Sequence, residues 1–161
     1  KTFNLDFAKV VGYYLEQAGV TVKYTRTTDA PISTNERIRM ACTAKPNLLV
    51  SIHCDSDANP GTLGIYCKSD SYRLAQTLVD RTAPVVGRGN RGVVKDCTNV
   101  LLNHTCGFPS AIIRVATIND PTFDTNWLWS RSSDWNVLHL PDGTYIKRIG
   151  RAIADAILEV I

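Results

Sequence analysis

The sequence predicts an α/β domain of three layers, a largely parallel sheet with helices on both faces. Helical and strand-like periodicities alternate along the whole chain, the pattern of strands joined by crossover helices. The run Leu48-Leu49-Val50-Ser51-Ile52 is short and nearly all apolar, as in a central strand covered on both faces. At 161 residues and 44% apolar content, the chain is long enough for one sizeable core and too short for two ordinary domains. Residues 1–161 therefore read as one domain, with no repeat and no linker.

Each element follows from local chemistry. Leu5, Ala8, Val11 and Leu15 recur at helical spacing, and Gly19 stands where a left-handed residue ends a helix. Val20-Thr21-Val22-Lys23-Tyr24-Thr25 alternates and is rich in β-branched residues, which predicts a strand. After the turn Asp29-Ala30-Pro31, Ser33 and Glu36 form the capping box of a second helix that carries Ile38, Ala41 and Cys42 inward. The central strand comes next, then a strand from Leu63 to Cys67. Leu74, Ala75, Leu78 and Val79 predict a third helix that ends before Pro84. Ala111-Ile112-Ile113-Arg114-Val115 predicts a late strand, and Tyr145, Ile149, Ile153, Ala156, Ile157 and Val160 line a long last helix. In such a sheet the ligand site lies at the carboxyl ends of the strands.

Composition narrows the partners. The 18 basic and 15 acidic residues, net charge +3, are scattered and form no block of the kind that grips phosphates, so nucleic acid is not an expected partner. No apolar stretch approaches the roughly 18 residues of a membrane span. The opening Lys1-Thr2-Phe3-Asn4-Leu5 is not a signal peptide, and it enters a helical pattern almost at once, as in a processed or truncated chain. A soluble monomer without a membrane partner is the expectation. Five cysteines (Cys42, Cys54, Cys67, Cys97, Cys106) form no C-x-x-C pair and cannot all be bridged within the chain, so most are expected as buried thiols.

His53 ends the predicted central strand and opens into Cys54-Asp55-Ser56-Asp57, where an α/β site belongs. A histidine there either closes the strand by bonding to nearby backbone or takes part in chemistry. Spacing does not decide between these: a catalytic zinc site needs three protein ligands and an open position, and His53, His104 and His139 stand at no recognised ligand spacing. His104, after Asn103, reads as a surface residue.

In order along the chain, Asn4-Leu5 opens a helix, Thr25-Arg26 closes a strand, and Glu36-Arg37 and Ser51-Ile52-His53-Cys54 follow. Asn90-Arg91-Gly92-Val93 and Pro109-Ser110-Ala111-Ile112-Ile113 complete the series. In these landmarks the chain resembles the zinc-dependent N-acetylmuramoyl-L-alanine amidases nearly end to end. The resemblance implies a peptidoglycan hydrolase, a bacterial autolysin or phage lysin acting on the amide between N-acetylmuramic acid and L-alanine. It places the protein in the cell wall or outside the cell, cytoplasmic before release if it is a lysin. The implied cofactor is Zn2+, which polarises the amide carbonyl and lowers the pKa of a bound water.

The resemblance implies three zinc ligands: a histidine in a Gly-His-Gly turn, a glutamate just before the Asn-Leu helix, and the Ser-Ile-His histidine. His53 matches the last; the other two positions, with the family's first strand, fall before Lys1. A second departure follows the late strand, where the family's catalytic glutamate position is occupied by Arg114 in Arg114-Val115-Ala116. A guanidinium cannot accept a proton from a metal-bound water, so the catalytic base is left unassigned. Arg114 either opposes cation binding, or turns to a substrate carboxylate or outward while another residue serves as base. Asp120 and Asp124 lie nearby in sequence without matching the motif. Trp127, Trp129 and Trp135 occupy a polar segment where the family has a short connection. Their flat faces, those of Trp127 and Trp129 in particular, either stack on sugar or stem peptide or pin the segment to the domain. Two alternatives accompany the hydrolase: a degenerate amidase that binds wall peptide without cutting it, and an unrelated metal-free α/β binding domain.

Overall fold

The computed structural model describes residues 2–56, 59–104, 106–117 and 136–161. In chain order they form α1 (Thr2–Gln17), α2 (Thr34–Ala44), β1 (Leu49–Asp55), β2 (Thr62–Tyr66), α3 (Tyr72–Val86), β3 (Asn90–Lys95), α4 (Val100–Asn103), β4 (Ser110–Thr117) and α5 (Tyr145–Val160). The strands make one sheet in the order β1-β4-β2-β3. β1 runs parallel to β4 and β2 parallel to β3, and the two pairs meet antiparallel at β4 and β2. The class is α/β with helices on both faces, and the sheet is mixed.

Alternation along β4 divides the two faces. Ala111, Ile113 and Val115 point into the larger core, shared with α1, α3 and α5, whereas Ile112 joins a smaller cluster of Leu63, Ile65, Cys67 and Leu102 on the α4 side. The larger core is filled as the periodicity predicts: Leu74, Ala75, Leu78 and Val79 of α3 and Ile146, Ile149, Ile153, Ala156 and Ile157 of α5 are all buried. Gly64 lets α3 lie close on β2, because a Cβ there would come within 2.8 Å of the Ala75 carbonyl oxygen and 2.8 Å of Val79 Cγ2. Lys147 is buried within α5 at 2% exposure; its ammonium lies 4.6 Å from the Tyr13 ring centroid and 3.5 Å from Asp142 Oδ1, which supply the compensation a buried charge needs.

Several elements differ from the sequence expectations. Residues 20–25 are not a strand: Val20 and Val22 do pack on the larger core, but no described strand lies beside them to form a ladder. The apolar run at 48–52 builds β1, which lies at the edge of the described sheet, with all seven residues half-buried. Val50, Ile52 and Cys54 pack on the larger core, so the run serves one face, and its intervening residues line a cleft on the other side. α3 continues through Pro84 to Val86, because Val86 is buried and Gly87, left-handed at φ 69°, donates its N–H to Ala83 O at 2.9 Å. β3 is unannounced by its pattern, since Asn90, Lys95 and much of its length are exposed.

Four of the five cysteines are bridged rather than free: Cys42 to Cys106 and Cys67 to Cys97, with Cα separations of 5.4 Å and 4.7 Å. Partners 64 and 30 residues apart leave no spacing signal in the sequence. Cys54 is the free one, and burial pushes its thiol up to about 12.

The close approach of α3 to β2 gives a direct check. Gly64→Ala is expected to cost roughly 1–3 kcal/mol in urea unfolding, because the nearest obstacle is backbone and cannot rotate away. An unchanged midpoint would mean that the helix lifts off the strand at no cost.

Candidate functional site

Parallel pairing brings the carboxyl ends of β1 and β4 together, with His53 opposite Arg114 in register. The two-residue period of a strand turns Ser51, His53 and Asp55 to one side of β1 while Ile52 and Cys54 meet the core on the other. Ser51 Oγ lies 2.9 Å from His53 Nε2. Arg114 Nε donates to Asp55 Oδ2 at 2.7 Å, with each side chain 36% exposed. The register slips by one residue between His53 and Asp55, a bulge at the strand end. Arg114 is also the one residue of β4 that is not fully buried.

The sequence landmarks act as fasteners, some beside this point and some elsewhere in the sheet. Asn4 Oδ1 accepts the main-chain N–H of Cys54 at 2.9 Å, which ties the first turn of α1 to β1 beside His53. Arg37 Nη1 donates to Thr25 Oγ1 at 2.8 Å, joining α2 to the irregular segment before it. Ser33 caps α2, its Oγ accepting from the Glu36 N–H at 3.2 Å; the Glu36 carboxylate turns to Arg39 at 2.6 Å rather than back to the cap, so half of the expected box forms. Asn90 Oδ1 accepts from the Gly92 N–H at 2.7 Å, and Pro109 O accepts from the Leu49 N–H at 2.9 Å, starting the β1–β4 pairing.

A cleft of about 370 Å³ runs along the outer edge of β1 past His53 and Asp55. Its walls come from α1, residues 23–26, α2 and residues 96–101. Lys23, Arg26, Arg37 and Arg114 line it against the two carboxylates of Asp55 and Asp96. Burial holds the His53 pKa below its ordinary value; Asp55 pulls it back up, and Arg114 and Arg37 push it down again. A neutral imidazole beside a guanidinium suits acceptance of a proton or hydrogen bond at the ring and donation to a carbonyl or carboxylate from Arg114.

The three-ligand zinc site does not fit the described residues. Among them no group of three His, Cys, Asp or Glu side chains comes together. His53 has one carboxylate within two residues, Asp55, and that carboxylate is engaged by Arg114. Four cationic side chains in the cleft also oppose a metal cation. His104 is exposed and binds its own helix, Nδ1 lying 3.0 Å from Val100 O, and His139 is exposed near Asn136, so neither joins His53. Trp127, Trp129, Trp135, Asp120 and Asp124 lie outside the described residues. Asp55, Ser51 and Arg37 are site residues that sequence reasoning did not single out. Counting by two from His53 finds the first two; Arg37 enters the sequence reading only as part of the Glu36-Arg37 landmark, without a role.

Fold and cleft together define a three-layer α/β domain with a histidine and an ion pair at the ends of two parallel strands. A family model described as N-acetylmuramoyl-L-alanine amidase matches residues 1–159, and the chain belongs to that family. It is 28% identical over 127 residues to the N-acetylmuramoyl-L-alanine amidase LytC of Bacillus subtilis, covering 74% of this chain and 25% of that protein. It is 30% identical over 128 residues to the probable cell wall amidase LytH of Staphylococcus aureus, covering 78% of this chain and 42% of the relative. The chain thus spans less than half the length of either. Among solved structures, the catalytic domain of CwlV, an N-acetylmuramoyl-L-alanine amidase from Bacillus (Paenibacillus) polymyxa var. colistinus, superposes with a TM-score of 0.80 at 28% identity, covering 98% of this chain and 82% of that one. The CwlD amidase of Clostridioides difficile, in complex with the GerS lipoprotein, shares the fold with a TM-score of 0.83 at 20% identity, over 99% of this chain and 85% of that one.

The Arg114–Asp55 pair is half-exposed, so its worth is small and measurable. A double-mutant cycle of Arg114→Gln and Asp55→Asn in urea is expected to give a coupling of about 0.5–1 kcal/mol. A coupling of zero would mean that the pair contributes nothing to stability.

Proposed function

We propose that this chain is the amidase domain of a peptidoglycan hydrolase and that it seats the amide between the muramic acid lactyl group and L-alanine in the cleft beside His53. The observation that carries the reading is the family match over residues 1–159 together with His53 at the strand end, where the cleft opens. In this reading Arg114 donates to a carbonyl or carboxylate of the bound muramyl peptide, and the neutral His53 ring faces the same group. The place of action is the cell wall or the exterior of the cell, in keeping with a relative named as a cell wall amidase. Among the described residues no helix is long and apolar enough to cross a membrane. Zinc is the cofactor this reading calls for, with His53 as the ligand the described residues contribute; no described side chain completes a set around it. The aromatic faces of Trp127 and Trp129 are proposed as further substrate contacts.

One observation favours a second reading. Arg114 stands at the glutamate position of the family and is paired to Asp55, which leaves the cleft with a fixed cation and without a proton acceptor at that point. A domain built this way binds wall peptide without cutting it.

Purified peptidoglycan separates the readings. With zinc present, the hydrolase releases stem peptides with a free L-alanine amino terminus, and release disappears in His53→Ala. The binding domain sediments with peptidoglycan and releases nothing until Arg114→Glu restores a carboxylate. Neither release nor sedimentation by any of these proteins would rule out both.

A further inference from the structure

The two faces of the sheet are held very differently. On one side, α1, α3 and α5 share the larger core. On the other, no described side chain of α2 belongs to either hydrophobic cluster, and Ala41 is its one buried residue. An 11-residue helix with so little burial is marginal by itself, since its ordering entropy is not offset by packing. Among the described residues its polar tie to the rest is the hydrogen bond from Arg37 to Thr25, and the Glu36–Arg39 ion pair stays within the helix. What fastens it is covalent: Cys42 of α2 is bridged to Cys106, just beyond α4.

The second bridge continues the seam. Cys67, at the end of β2, belongs to the smaller cluster and is joined to Cys97, in the turn that leads from β3 to α4. That turn carries Asp96 and Asn99, and α2 carries Thr34 and Arg37, which together form the cleft wall facing His53. Asn99 also caps α4, its side chain accepting from the Leu101 N–H at 3.1 Å. The wall is therefore stitched to the sheet by two disulfides and a cluster of five side chains.

We propose that this layer is a redox-dependent wall of the cleft. With both bridges closed, α2 and the 96–101 segment are held over His53. A dithiol reductant opens each bridge by thiol–disulfide exchange: the S–S bond breaks, two electrons and two protons pass to the cysteines, and the dithiol closes to its own cyclic disulfide. α2 then detaches, taking Arg37 out of the cleft, while the α1–α3–α5 side stays folded. Such a protein is shaped for an oxidising place of action, where the bridges persist. The inference concerns the fold around the cleft and stands apart from the peptidoglycan reading.

Hydrogen exchange followed by mass spectrometry tests it on the whole chain, oxidised and after reduction with dithiothreitol. On reduction, amides of α2 and α4 are expected to exchange at least about tenfold faster, while those of α3, β4 and α5 change less than about twofold. The Cys42→Ser/Cys106→Ser double variant is expected to free α2 and leave the β3–α4 turn protected. Acceleration in α3 and β4 equal to that in α2 would overturn the proposal, because the bridges would then hold the whole domain. No acceleration in α2 would overturn it as well, as would non-reducing peptide maps that recover Cys42 and Cys106 as thiols.

Discussion

The pairing of β1 with β4 fixes everything that follows in this molecule. β4 is buried along nearly its whole length, which makes its position the least negotiable in the sheet, and β1 joins it in parallel from Leu49 opposite Ser110 to His53 opposite Arg114. Parallel strands end together, so the chemistry-bearing residues of both emerge at one place. Asn4 then draws the start of α1 to the same strand end through the Cys54 N–H. A slip of one residue in this pairing would turn His53 toward the core and Cys54 toward the cleft.

The cleft inherits its character from the thinner side of the sheet. The larger core lies behind β1, and the site faces α2, which buries Ala41 alone and is bridged through Cys42, and α4, which buries Leu101 and Leu102. Its charge is dominated by arginine and lysine, with Asp55 already engaged by Arg114. Such a surface is suited to polar and anionic groups and poorly suited to an isolated metal cation. Membership of the amidase family rests on the match over residues 1–159, and the cleft is where this chain's own charge pattern is set.

Much of the fold is legible in the residue pattern alone. Burial on one stripe makes α5 and α3 plain, because Ile149, Ile153 and Ala156 or Leu74 and Leu78 repeat at the helical period and face one core. His53 stands out because an apolar strand that gives way to polar residues marks a site in an α/β sheet. The failures have physical causes. Residues 20–25 have the side-chain alternation of a strand, but a strand is defined by a neighbour, and alternation reports only the buried face. The run at 48–52 suggests a centre and produces an edge for the same reason. Disulfide partners are set by tertiary proximity, so Cys42 and Cys106 carry no local mark. The Arg114–Asp55 pair depends on register between strands nearly sixty positions apart, which periodicity within one strand does not report.

Arg114 shares the cleft with His53, where burial lowers the ring's pKa, Asp55 raises it and Arg114 lowers it again, and the character of the site rests on that balance. Titration of the His53 ring by NMR in chelator-treated protein, in the parent chain and in Arg114→Gln, tests it most directly. His53 is expected to titrate below the ordinary value of about 6.5 and to move upward in the variant, since a positive neighbour is removed and Asp55 is released. Neutral His53 is favoured by the fold, so its contribution to stability is present above about pH 6.5 and is lost as the pH falls through the lowered value. A ring that titrates normally, or that is indifferent to Arg114, would contradict the arrangement of the site.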